Sequence, residues 1–170
     1  MDELYALRPM QREDLAMVSL LDQLSFTEPW PKNTFAYELT TNYSICQVAV
    51  EQSGNVVGAI VVWLVVDEAH VATIAVHPDH RQKGIGAALL ATALLIASYR
   101  GATSSLLEVR VSNLAAIKLY ERFGYKTDGV RRNYYQDNQE DALLMTLPNL
   151  DRDILRNFLP PNCVSMDMMR

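Results

Sequence analysis

Apolar and polar positions change period repeatedly along this chain, and each change marks an element. Residues 5–9 predict a short strand. Over 12–24 the spacing lengthens: Met17, Leu20, Leu21 and Leu24 fall at i, i+3, i+4 and i+7, which predicts one apolar helix face. Glu13 and Asp14 stand in its first turn, where the helix dipole favours acid. A turn-rich loop over 25–31 carries Pro29, Trp30 and Pro31, and Pro31 can open a short helix over 32–40. Residues 45–51 alternate and are rich in β-branched side chains. Ser53, Gly54 and Asn55 then give a hairpin signal, with 56–66 as the returning arm. Asp67 and Glu68 mark a turn into a strand over 69–76. After a polar loop over 77–84, residues 85–100 predict an alanine-rich helix with Ile85, Leu89, Ala93 and Ile96 on one side, stopped by Gly101. A strand over 105–111, a helix over 113–123 stopped by Gly124, and strands over 125–130 and 141–147 complete the pattern.

The resulting order, β-α-α-β-β-β-α-β-α-β-β, predicts an α/β fold with a mixed central sheet rather than a doubly wound parallel one. With 170 residues the chain suits one domain over 1–148, followed by an extension over 149–170. In that extension Ile154, Leu155, Phe158 and Leu159 could dock as a short helix before Pro160 and Pro161.

Charge and composition narrow the functional classes. The formal net charge of -5 argues against direct nucleic-acid binding, which needs clustered Lys and Arg, and suits a cationic acceptor such as an amine or a basic peptide. Cys46 and Cys163 have neither metal-ligand spacing nor the number for a disulfide framework, so no metal and a cytoplasmic, reducing location are expected. Residues 1–8 carry Asp2 and Glu3 and lack the apolar core of a leader, and the apolar runs at 59–66 and 87–97 fall short of the ~20 residues that a membrane span needs.

The most informative stretch runs from Ile74, Ala75 and Val76 through Arg81, Gln82, Lys83, Gly84, Ile85, Gly86 and Ala87. An apolar strand feeds a basic, glycine-bearing loop that opens a helix. Unpaired N–H groups and partial positive charge at a helix start bind phosphates, and glycine lets the backbone approach them. A capped surface turn has the same spacing. A dinucleotide fingerprint does not fit, since its third glycine would fall at Leu89, and the Gly-Lys-Ser/Thr of a Walker loop is absent.

Arg81-x-x-Gly84-x-Gly86 after Ile74-Ala75-Val76 resembles the acetyl-coenzyme A signature of the GNAT acetyltransferases. Downstream, Leu107-Glu108-Val109-Arg110 with Ser112-Asn113, Ala116-Ile117 and Leu119-Tyr120 is similar to the RimI-type protein N-terminal acetyltransferases. So are Arg131-Arg132-Asn133-Tyr134-Tyr135, Asp67-Glu68-Ala69 and Pro29-Trp30. The resemblance spans about Tyr5 to Pro148. Gln82 stands where the family usually has a second basic residue, and Glu28 where relatives often carry an aromatic.

The resemblance implies a GNAT fold of six to seven strands flanked by about four helices. It also implies acetyl-coenzyme A as cosubstrate and a protein N-terminus as acceptor, a ribosomal protein beginning with alanine. Backbone groups of Ile74–Val76 would hold the pantetheine arm and polarise the thioester, and those of Gln82–Ala87 the pyrophosphate. Asn113 would contact the cofactor besides capping its helix, Glu108 would be the general base, and Tyr120 the general acid toward the departing thiolate. Pro29 and Trp30 would face Tyr134 and Tyr135 across the acceptor slot. Taken alone, Glu108 reads equally as a solvent-facing strand carboxylate and Tyr120 as a core tyrosine, while His70, His77 and His80 read as solvated or structural. A small-amine or lysine acetyltransferase and a silent acyl-coenzyme A-binding module are the alternatives. The pair Glu108 and Tyr120 argues against the silent module, and the two aromatic pairs favour a peptide.

Overall fold

A computed structural model describes residues 5–161. In chain order it contains β1 (Tyr5–Pro9), α1 (Leu15–Ser25), α2 (Thr34–Glu38), β2 (Ser44–Glu51), β3 (Val56–Val65), β4 (Glu68–Val76), α3 (Ile85–Tyr99), β5 (Ser104–Arg110), α4 (Leu114–Phe123), β6 (Lys126–Arg131), β7 (Ala142–Leu147) and α5 (Arg152–Arg156). The seven strands form one sheet in the order β1-β2-β3-β4-β5-β7-β6. Every neighbouring pair is antiparallel except β4 and β5. The fold is therefore α/β with a mixed sheet, as the hydrophobic pattern predicts.

One interruption of the sheet positions the site. β4 and β5 pair only through Glu68↔Ser104, Ala69↔Ser105 and His70↔Leu106. Beyond His70, β4 continues alongside β3 and β5 alongside β7, so the two central strands part. A register shift between Val61 and Val62 puts a bulge opposite, at the start of the divergence, and such bulges bend a strand and re-aim its side chains. The junction below is pinned: the Tyr125 hydroxyl donates to Ser105 Oγ at 2.7 Å, which donates to the Ala69 carbonyl at 2.7 Å.

α3 lies on one face of the sheet. Twelve of its 15 residues are buried, so it is covered nearly all round rather than along the single stripe that the sequence suggests. A Cβ at Gly58 would come within 2.9 Å of Leu89 Cδ1 and 3.1 Å of Ile85 Cγ2, so a side chain here would displace the residues by which α3 packs on β3. Behind it, Leu150 and Leu155 are buried and the Phe158 ring stacks on Phe123 at 3.9 Å, while Ile154 faces outward. Cys163 lies outside the described residues.

α1 packs on the other face, rotated from its expected register. Val18, Leu21 and Asp22 are buried, whereas Leu20 and Leu24 are exposed. A 3-10 turn over Arg12–Asp14 precedes the helix proper, and a buried carboxylate on the core side hides the true stripe from a hydrophobicity count. Among the described residues no helix is long and apolar enough to cross a membrane.

Candidate active site

The glycine-bearing loop is built from unusual backbone. Pro78 opens a 3-10 turn whose cap, His77, accepts the Asp79 N–H on Nδ1 at 3.1 Å. Gln82 and Gly84 then adopt left-handed φ values of 61° and 82°. The first bond into α3 runs from Ala88 N–H to the Gly84 carbonyl at 3.0 Å. The N–H groups of Ile85, Gly86 and Ala87 therefore have no acceptor within the helix, at the positive end of its dipole. A Cβ on Gly84 would meet nothing within 4 Å, so the space beside the start of the helix is open there. A Cβ on Gly86 would lie 3.6 Å from Leu119 Cδ2 and 3.8 Å from Val76 Cγ2, which brings the end of β4, the start of α3 and α4 to one place.

Arg81 is tied to two neighbouring elements. Its Nε donates to the Val76 carbonyl at 2.9 Å and its NH2 reaches Ser25 Oγ at 3.3 Å, so it braces the loop against β4 and α1.

Glu108 stands two residues beyond the last β4–β5 pair, where the strands part. Its side chain is 17% exposed. Oε2 lies 2.9 Å from His70 Nε2, and Oε1 lies 4.0 Å from Arg131 NH2. The His70 ring meets Trp63 edge-on at 5.8 Å, and Trp63 stacks against Trp30 at 6.2 Å. Two buried carboxylates hold this aromatic row: Trp63 Nε1 donates to Glu38 at 3.0 Å, and the Trp30 backbone N–H donates to Asp22 at 2.6 Å. Burial pushes the Asp22 carboxyl above its ordinary range, against the bond from Trp30.

Tyr120, on α4, is 5% exposed. Burial pushes its phenol far above the ordinary value, with Tyr135 adding to the shift. No described side chain hydrogen-bonds its hydroxyl. Asn113 caps α4, its side chain accepting the Ala116 N–H at 3.2 Å. Tyr135 is half-buried, and burial pushes its phenol up to about 12 although Arg110 pulls it down. Tyr135 lies within electrostatic reach of both Glu108 and Tyr120. Tyr134 packs edge-on against it at 5.1 Å and remains partly exposed.

The expected residues thus fall into groups. Glu108 lies where the strands diverge, and Tyr135 is near enough to both Glu108 and Tyr120 to influence them electrostatically. Trp30 joins them through Trp63 and His70, while Pro29 is exposed at the rim. Ile74, Ala75 and Val76 form the last part of β4, beyond its pairing with β5. His77 and His80 lie away from Glu108, His80 Nε2 being 3.7 Å from Glu51. No group of His, Cys, Asp and Glu among the described residues could hold a metal ion. Sequence reasoning missed His70, Trp63 and Arg110. His70 and Glu108 are 38 positions apart, and only a parallel β4–β5 pairing, which leaves no local signal, makes them neighbours.

Comparison with known proteins identifies the family. The family model described as "Acetyltransferase (GNAT) family" matches residues 15–125. The chain is 39% identical to a putative [ribosomal protein bS18]-alanine N-acetyltransferase of Bacillus subtilis (strain 168), over 82% of this chain and 93% of that one. It is 38% identical to the [ribosomal protein bS18]-alanine N-acetyltransferase of Escherichia coli (strain K12), over 82% and 94%. The crystal structure of the ribosomal-protein-S18-alanine N-acetyltransferase from Escherichia coli superposes with a TM-score of 0.79 at 34% identity, covering 87% of this chain and 96% of that one. A NatC complex solved with Gag peptide and CoA gives a TM-score of 0.77 at 25% identity, over 85% and 98%.

Proposed function

The chain belongs to the GNAT acetyltransferase family, and we propose that it moves an acetyl group from acetyl-coenzyme A to the α-amine of a protein N-terminus. The acceptor we favour is ribosomal protein bS18 with its N-terminal alanine, the substrate in the names of its relatives. Such an acceptor places the reaction in the cytoplasm. The observation that carries the reading is Glu108, half-buried where β4 and β5 part and hydrogen-bonded to His70.

The residues present fit acetyl-coenzyme A. The N–H groups of Ile85, Gly86 and Ala87, with open space above Gly84, suit its pyrophosphate. Gln82 and Lys83 flank them, and Arg81, which also braces the loop against β4, adds positive charge beside them. The edge of β4 that β5 leaves, Ile74 to Val76, suits the pantetheine arm, with Asn113 beyond it at the start of α4. Bound there, the cosubstrate supplies an activated acyl carbon.

The protein handles the protons. An α-amine has a reference pKa of about 7.7–8.0 against about 10.4 for lysine, so near pH ~7.4 it costs under ~1 kcal/mol to present uncharged. Glu108 accepts the proton that leaves the attacking nitrogen, directly or through a water, and His70 fixes the carboxylate. Tyr120 is the donor toward the departing sulfur. Because burial raises its pKa above that of a thiol, about 8.5, complete transfer is uphill. Its hydroxyl acts chiefly as a hydrogen-bond donor to the negative charge growing on sulfur. Trp30 and Pro29 on one side, with Tyr134 and Tyr135 on the other, receive the first residues of the peptide.

The test is a panel of peptides incubated with enzyme and acetyl-coenzyme A and read by mass spectrometry. Peptides with a free α-amine on a small first residue should gain one acetyl group there. N-terminally blocked peptides with internal lysines should gain none, and preferential lysine modification would overturn the reading.

A further inference from the structure

The loops carrying Pro29–Trp30 and Tyr134–Tyr135 are far apart in sequence, yet they are fastened together. The Thr27 hydroxyl donates to Asp137 Oδ2 across 110 positions. Arg110 of β5 ties both to the sheet. Its NH2 donates to Asp137 Oδ2 at 2.8 Å and reaches Thr27 Oγ1 at 3.4 Å, and its NH1 reaches Glu140 Oε1 at 3.3 Å. Its guanidinium carbon stands 3.9 Å above the centre of the Tyr135 ring. Glu140 Oε2 in turn accepts the Ser112 N–H at 2.8 Å, just ahead of the α4 cap.

Position in the strand gives this cluster its meaning. Arg110 follows Glu108 by two residues, so both side chains leave β5 on one face. An isolated exposed ion pair would be worth little. Here the Arg110, Asp137 and Glu140 side chains are only 21%, 23% and 13% exposed, and charge-assisted bonds to a planar guanidinium fix direction as well as distance. No member of the cluster touches the loop over 81–87, so its influence falls on the acceptor half of the site.

We propose that Arg110 is a positioning residue for the acceptor: through Thr27 and Asp137 it clamps the two slot-lining loops at one separation and seats the Tyr135 ring, and so sets how tightly the peptide's first residues bind. The proposal rests on the reading of the slot as a peptide α-amine site. The clamp is no pH switch near neutrality. The Thr27 hydroxyl and the Arg110 guanidinium hold the Asp137 carboxyl below its ordinary range, so the charged clamp persists through that range and is lost only as the pH falls below it.

The experiment compares wild type with Thr27→Val, Thr27→Ser, Asp137→Asn, Arg110→Lys and the Thr27→Val/Asp137→Asn double variant. It reads KM and kcat for an alanine-initiated peptide, acetyl-coenzyme A affinity by calorimetry and the thermal midpoint. Losing a hydrogen bond to a charged group should raise the peptide KM about 5- to 20-fold in Thr27→Val, Asp137→Asn and Arg110→Lys. Cosubstrate affinity should hold and kcat should move far less than KM. The double variant should be less than additive, because both changes delete the shared Thr27–Asp137 contact, and Thr27→Ser should keep the wild-type KM. A lowered midpoint with unchanged peptide KM would make the cluster merely structural and overturn the proposal, as would an additive double variant. If one variant fails to fold, the remaining single changes decide the matter by the same KM. A wild type that modifies no peptide overturns the acceptor reading and the proposal with it, whereas an active wild type with insensitive variants overturns the proposal alone.

Discussion

The roles proposed for Glu108 and Tyr120 respond differently to pH. Glu108→Gln keeps the shape of the carboxylate and removes the base; Tyr120→Phe keeps the ring and removes the donor. Positioned acid–base groups are typically worth about 10²–10⁴-fold, and each variant should lose turnover on that order while binding acetyl-coenzyme A normally. The Glu108→Gln deficit should shrink as the pH passes about 8, where the α-amine deprotonates unaided. The Tyr120→Phe deficit should stay flat over the same range. Burial raises the Tyr120 pKa, so its donor form is full below the ordinary phenol value and is lost only as the pH rises through the raised one. Parallel pH profiles of kcat for the three proteins check this, and near-normal turnover in both variants would make the two residues structural. Glu108 and Tyr120 stand out in the sequence because they lie in local motifs, and their catalytic roles are the ones proposed above. His70 does not, since its partner is supplied by strand pairing across 38 positions, and Arg110, quoted only as part of a motif, gains its meaning from loops that meet in space.

At the scale of elements, the loop entering α3 carries the clearest expectation. Gly84 combines a left-handed φ of 82° with open space above its α-carbon. A valine there would be strained in the backbone and would put a branched side chain where an anion must approach the N–H groups of α3. Gly84→Val should weaken acetyl-coenzyme A binding by at least about tenfold, since it loses charge-assisted bonds to the backbone, and calorimetry would show it. Val66, in the β3–β4 turn, carries a similar strain. It is a β-branched residue at φ 56°, 91% exposed, with no packing in return. Val66→Gly should raise the thermal midpoint slightly and leave cosubstrate affinity alone, a useful contrast to Gly84→Val. Elements with a strong period or a clear stop were legible: α3 ends before Gly101, α4 before Gly124, and the β2–β3 hairpin turns where Gly54 allows it. The α1 face was misread because Asp22 is buried to hold the Trp30 N–H, and a pattern that scores Asp as polar places it outside.

At the scale of the whole molecule, α3 has the proposed cosubstrate loop at one end and a docked segment at the other. The N-terminal end of that helix faces the open cradle, while its C-terminal end is gripped by the segment after β7. Arg152 donates to Ser98 Oγ at 2.9 Å and to the Ser98 carbonyl at 3.2 Å, and its guanidinium lies 4.0 Å over the Tyr99 ring. Arg156 donates to the Tyr99 hydroxyl at 2.6 Å. Leu155, only 2% exposed, fills the space between these contacts and the helix. Without that segment α3 would present apolar surface to water on its outer side, since 12 of its 15 residues are buried. Leu155→Ala should therefore cost about 2–4 kcal/mol, the range for removing a buried leucine where the surroundings relax only in part. The cradle lies at the opposite end of α3, a helix about 22 Å long at 1.5 Å per residue, so acetyl-coenzyme A affinity should change less than twofold below the melting range. Chemical denaturation gives the stability difference and calorimetry the affinity. A variant that keeps its stability would show that the extension merely rests on α3, and one that loses cosubstrate at constant stability would tie the extension to the cradle itself.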